Sequence, residues 1–104
     1  MTRNKLNKLK REIESLRRSS QAAMAYESLA QRLGRRKAKG GKEPMWESVE
    51  FAHLPPLSIP HHGSKDIPVG TRHSILDQLE EDVLAWEEKL DGEDEQDVSG
   101  ESWH

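Results

Sequence analysis

A chain of 104 residues with 33% hydrophobic and 34% charged content is about one domain long and has only a modest core to bury. The absence of cysteine excludes disulfide staples and thiolate zinc or redox sites. No apolar run approaches the ~20 residues of a membrane span, and "MTRNKLNKLKREIESL" holds no signal-type apolar stretch, so a soluble cytoplasmic protein is expected.

The net charge of -3 conceals a steep split. Residues 1–42 carry 13 Lys and Arg against 3 acids, while residues 43–104 carry 3 basic residues against 16 acids. Either the basic end meets a polyanion, or the two halves neutralise one another within or between chains.

In chain order, Leu6, Leu9, Ile13 and Leu16 follow the three-and-four spacing of one helical face, with polar residues between them. The stripe falters at "RRSS" and restarts in a shifted phase with Ala22, Tyr26, Leu29 and Leu33, before Gly34 offers a C-terminal stop. Two helices or one bent helix satisfy this pattern. The first stripe also has the form of a dimerisation face, although two heptads are short for a coiled coil. The cluster Arg35, Arg36, Lys37, Lys39 and Lys42 is polar, lies beside Gly40 and Gly41, and is expected to be exposed. A weak strand runs through Arg36 to Lys39.

From Met45 the period becomes two, with Met45, Val49 and Phe51 on one face of a short strand and Trp46, Ser48 and Glu50 on the other. "HLPP" turns the chain. "LSIP" supplies a second strand that Pro55, Pro56 and Pro60 limit to an edge or a few residues. The last element is a helix capped by Thr71, with Ile75, Leu79, Val83, Trp86 and Leu90 on its apolar face and an end expected near Gly92. Residues 92–104, rich in acids and poor in apolar side chains, read as a disordered tail. The expected fold is a small α+β domain over residues 21–91, with helices packed on one face of an antiparallel sheet, preceded by a basic helical extension over residues 1–20.

Three histidines lie within "SIPHHGSKDIPVGTRHSIL". Adjacent His61 and His62 on extended chain point to opposite sides and suit a shared metal poorly, and no His pair has helical i, i+4 spacing. No metal or other cofactor is expected. Arg35, Arg36, Lys37, Lys39 and Lys42 suit phosphates, the glycines allow close backbone approach, and Trp46 is either a base-stacking platform or a core residue.

The run "LSIPHHGSKDIPVGTRHSILDQL", residues 57–79, resembles the C-terminal half of HicA-type toxins of bacterial toxin-antitoxin pairs. Pro60, His62, Lys65, Gly70, Thr71, Ser74, Ile75, Leu76 and Gln78 occupy the motif positions, and "YESLAQRLG", residues 26–34, is similar to the family's first helix. The resemblance covers about residues 22–80. It implies a double-stranded-RNA-binding-like fold, mRNA cleavage without a metal, and a HicB-type antitoxin partner. The family's catalytic histidine is expected in a Gly-Ser-His triplet, where this chain has Gly41-Lys42-Glu43. Glu43 with His62, or His61 with His62, would then divide the roles of acid and base, because cleavage by the 2'-hydroxyl needs one group to take its proton and another for the leaving oxygen. The readings are a HicA-like RNA-binding protein, whether active, weak or inactive as an endoribonuclease, and a non-enzymatic protein interaction module that uses the N-terminal amphipathic helix, open to self-pairing, and the charge asymmetry.

Overall fold

A computed structural model describes residues 1–19, 21–38, 45–60 and 66–102, with side chains given through Glu93. Its elements are α1 (Arg3–Arg18), α2 (Ala23–Arg32), β1 (Arg35–Lys37), β2 (Met45–Ser48), β3 (Leu57–Ser58) and α3 (Val69–Ser102). The architecture is α+β, as expected: α1, then α2, a three-stranded antiparallel sheet and a C-terminal helix.

The first apolar stripe forms a separate helix. Thr2 caps α1 by accepting from the Lys5 amide (3.2 Å), and Leu6, Leu9 and Ile13 are buried along it. Helix α2 ends where glycine was expected to stop it. Gly34 has φ +97°, a left-handed conformation that costs glycine no side-chain clash, and its amide bonds back to Gln31 O (3.0 Å).

The sheet order is β1-β2-β3. Arg35 lies opposite Ser48 and Lys37 opposite Trp46; Met45 lies opposite Ser58 and Trp46 opposite Leu57. Of the two faces of β2, the one that carries Trp46 meets the core. Trp46 points into the core at 3% exposure, while Val49 lies beyond the strand end and is 65% exposed. One residue of phase exchanges the two faces of a strand, and the larger apolar area of tryptophan decides between them. Phe51 reaches the core from outside the strand, by an edge contact with Trp86 at 4.9 Å.

Helix α3 begins two residues before the expected cap. Its first backbone bond runs from the Arg72 amide to Pro68 O (2.8 Å), so Pro68 stands at the cap and Thr71 lies within the first turn. Pro68 has no amide to satisfy and a φ already near the helical value, which suits a helix start. The helix also passes through Gly92, which an exposed helix tolerates at a cost of ~1 kcal/mol relative to alanine.

Helices α2 and α3 pack on the sheet, and α1 packs on α3 and α2. Leu6, Leu9 and Ile13 join Tyr26, Leu29, Leu33, Trp46, Ile59, Ile75, Leu79 and Val83 in one core. The N-terminal stripe is thus inside the chain's own core. Among the described residues, no helix is long and apolar enough to cross a membrane.

Candidate nucleic-acid interface

The basic residues around β1 separate into two groups. Arg36 and Lys37 are exposed, whereas Arg35 is buried, against the expectation that the whole cluster faces water. The Arg35 side chain is a hub. Its Nε donates to Asp82 Oδ2 (2.7 Å) and its Nη2 to Asp82 Oδ1 (2.8 Å), while Nη1 donates to the carbonyls of Trp46 (2.8 Å) and Pro55 (3.0 Å). Both ionic side chains are almost fully enclosed, at 0% and 1% exposure. Such a bidentate fork uses the planar geometry of guanidinium, and it ties β1, β2, the β2–β3 connection and α3 together. Burial pushes the Asp82 carboxyl above its ordinary value, and the hydrogen bonds and charge of Arg35 pull against that rise. This site is structural, and no phosphate reaches it.

Trp46 belongs to the core, so its ring is not a stacking platform. The free face of the sheet carries Arg36 directly opposite Glu47, with Met45 opposite Ser58 beside them. That face is mixed in charge. Lys39, Lys42, Glu43 and His62 lie outside the described residues, as does His61. Their described flanks nevertheless share one place. The Ala38 amide donates to Met45 O (2.8 Å), and Met45 pairs with Ser58, so the end of β1, the start of β2 and the end of β3 meet at the same end of the sheet.

The two described histidines, His53 and His73, stand apart. His53 is exposed and meets Phe51 edge-on at 6.0 Å. His73 Nδ1 lies 3.3 Å from Arg17 Nη1, and a guanidinium can only donate, so this nitrogen accepts. Among the described residues no cluster of three or more histidine or carboxylate side chains is placed to hold an ion.

Much of the charge split is neutralised inside the chain. Helix α1 runs antiparallel to α3, and Arg3 pairs with Asp91 (2.7 Å), Lys10 with Glu87 (2.7 Å), and Arg17 with Asp77 (2.8 Å) and Glu80 (3.0 Å). The hydrogen bonds that Arg17 donates to Asp77 and then to Glu80, together with both carboxylate charges, hold its guanidinium above its ordinary value against the opposing effect of burial. Arg32 pairs with Glu12 (2.6 Å), and Lys89 pairs with Glu50 while lying over the Trp86 ring.

Asp82 was legible but missed. It stands three residues after Leu79 and four before Trp86, on the apolar face of α3, where a lone acid signals a buried cation partner.

No family model matches the chain, and no curated protein or solved structure matches it.

Proposed function

We propose that this chain is a HicA-like RNA-binding protein of a bacterial toxin-antitoxin system, acting on mRNA in the cytoplasm and restrained by a HicB-like partner. The supporting observation is the meeting of Ala38, Met45 and Ser58 at one end of the sheet. In sequence, Glu43 precedes Met45 by two residues and His62 follows Ser58 by four. Exposed Lys37 stands at that end too, and Arg36 is next to it. The order α2, three strands, α3 is the order implied by the double-stranded-RNA-binding-like fold of the resemblance.

On this reading Lys37 and Arg36, with Lys39 and Lys42, contact phosphates. Glu43 or His62 takes the 2'-hydroxyl proton, and the other donates to the leaving 5'-oxygen. A carboxylate in place of the expected histidine makes cleavage weak or absent, and binding is the activity that does not depend on it.

The test uses the full chain with a mixed RNA ladder, beside Arg36→Gln/Lys37→Gln, His62→Ala and Glu43→Gln. Wild type should bind RNA with an affinity that falls steeply as salt rises, and the double variant should bind more weakly with a salt slope reduced by ~1 per removed contact. Any cleavage should vanish in His62→Ala or Glu43→Gln. A salt-independent affinity, or a double variant that binds as wild type does, would sink the reading.

A further inference from the structure

The seven cations of α1 divide by direction. Arg3, Lys10 and Arg17 turn toward α3 and are ion-paired there. Lys5, Lys8, Arg11 and Arg18 are exposed and have no ion-pair partner among the described residues. At 100° per residue, Asn4, Lys8, Arg11, Ser15 and Arg18 fall in one narrow band on the side of the helix opposite Leu6, Leu9 and Ile13. Lys8 to Arg18 spans about 15 Å along the axis at ~1.5 Å per residue. Beside this band runs an open cleft of about 520 Å³ lined by Lys10, Arg11, Glu14, Ser15, Arg18 and Ser19.

This arrangement carries a local cost. Like charges three residues apart, as Lys5 with Lys8 and Lys8 with Arg11, repel one another and oppose the helix. The pairs with α3 already neutralise the side that folding buries, and among the described residues the outward cations serve no ion pair. We infer that the outward stripe of α1 is a second docking surface, whose occupant is the phosphodiester backbone of a nucleic-acid duplex, bound without sequence preference.

Three observations select that occupant. The stripe contains no large apolar side chain, so a protein partner finds none of the aromatic or aliphatic anchors on which protein interfaces depend. It contains no aromatic ring, so unpaired bases have nothing to stack on and a duplex is favoured over a single strand. The apolar face of α1 is sealed in the core, so the helix has nothing to insert into a bilayer. What remains is a row of cations with serine and asparagine between them, flanked on the cleft side by the exposed Glu14, and such cations and small polar residues contact phosphate oxygens and carry no sequence code. This surface lies on α1, outside the sheet end proposed above, and stands or falls separately from it.

The test measures binding of the full chain to a short labelled RNA duplex, with the equivalent DNA duplex, a single-stranded RNA and phosphatidylserine–phosphatidylcholine vesicles as further arms. With four phosphate contacts, affinity for a duplex should fall roughly 100-fold between ~50 mM and ~200 mM salt. The Lys8→Gln/Arg11→Gln/Arg18→Gln variant should bind the duplexes at least ~10-fold more weakly and lose ~3 from its salt slope. Ser15→Glu, which leaves every cation in place, should weaken binding in the same direction. Circular dichroism shows whether each variant folds. RNA and DNA duplexes binding alike support a backbone reader, and preference for RNA restricts it to the A-form. Wild-type affinity in the triple variant, no duplex binding at low salt, or tighter binding to the single strand or to vesicles overturns the inference.

Discussion

Removing the carboxylate of Asp82 would leave the Arg35 guanidinium enclosed, with two backbone carbonyls as partners and no counter-charge. A buried pair broken on one side costs ~3–5 kcal/mol, whereas replacing both members with apolar side chains of similar volume is often neutral or stabilising. We therefore expect Asp82→Ala to lower the unfolding free energy by ~3–5 kcal/mol, with Arg35→Met similarly harmful. Arg35→Met/Asp82→Leu should be more stable than either single variant. Urea unfolding of the four proteins measures the coupling, and additive single effects would show that the fork contributes nothing as a pair. The prediction also separates function from stability at neighbouring positions. Arg35 belongs to the fold, and its exposed neighbours Arg36 and Lys37 are the residues whose loss should be felt by RNA.

Helix α1 presents two rival sources of attachment, an apolar stripe beneath it and a row of ion pairs along its flank. Leu9 is 1% exposed, so Leu9→Ala should cost ~2–5 kcal/mol through lost transfer energy and the cavity left behind. The Lys10–Glu87 pair has side chains 46% and 32% exposed, and solvent screening limits it to ~0–1 kcal/mol. Chemical denaturation of Leu9→Ala beside Lys10→Ala should separate the two by at least ~1 kcal/mol. Equal losses would mean that charge holds the helix. The difference also explains which elements could be read from the chain. Helices α1, α2 and α3 repeat their apolar side chains over several turns, so the stripe at Leu6, Leu9 and Ile13 and the stop at Gly34 were visible. Strands of two to four residues offer too few positions to fix a phase, and the single large ring of Trp46 outweighed the Met45–Val49 alternation. The candidate site was legible only as residue types, because the meeting of β1, β2 and β3 at one end depends on pairings far apart in sequence.

At the scale of the molecule, the charge split allowed two solutions, an external polyanion or internal neutralisation, and composition cannot distinguish them. The fold uses both sides of α1, one paired with α3 and the other left to solvent, so neither half of the split is spare. This makes α1 integral to the domain. Burying Leu6, Leu9 and Ile13 contributes ~1.5–3 kcal/mol for each side chain, hence ~5–9 kcal/mol together, against the ~5–15 kcal/mol by which a domain of this kind is stable. Deleting residues 1–20 removes that contribution and uncovers the apolar face of α3 on which α1 lies. The remaining chain, residues 21–104, should lose its cooperative thermal transition and bind a hydrophobic dye that the full chain does not. An autonomous domain with an accessory helix would behave differently. Its transition would survive the deletion, with a midpoint shifted by no more than the loss of surface ion pairs allows, and the RNA affinity of the sheet end would be unchanged.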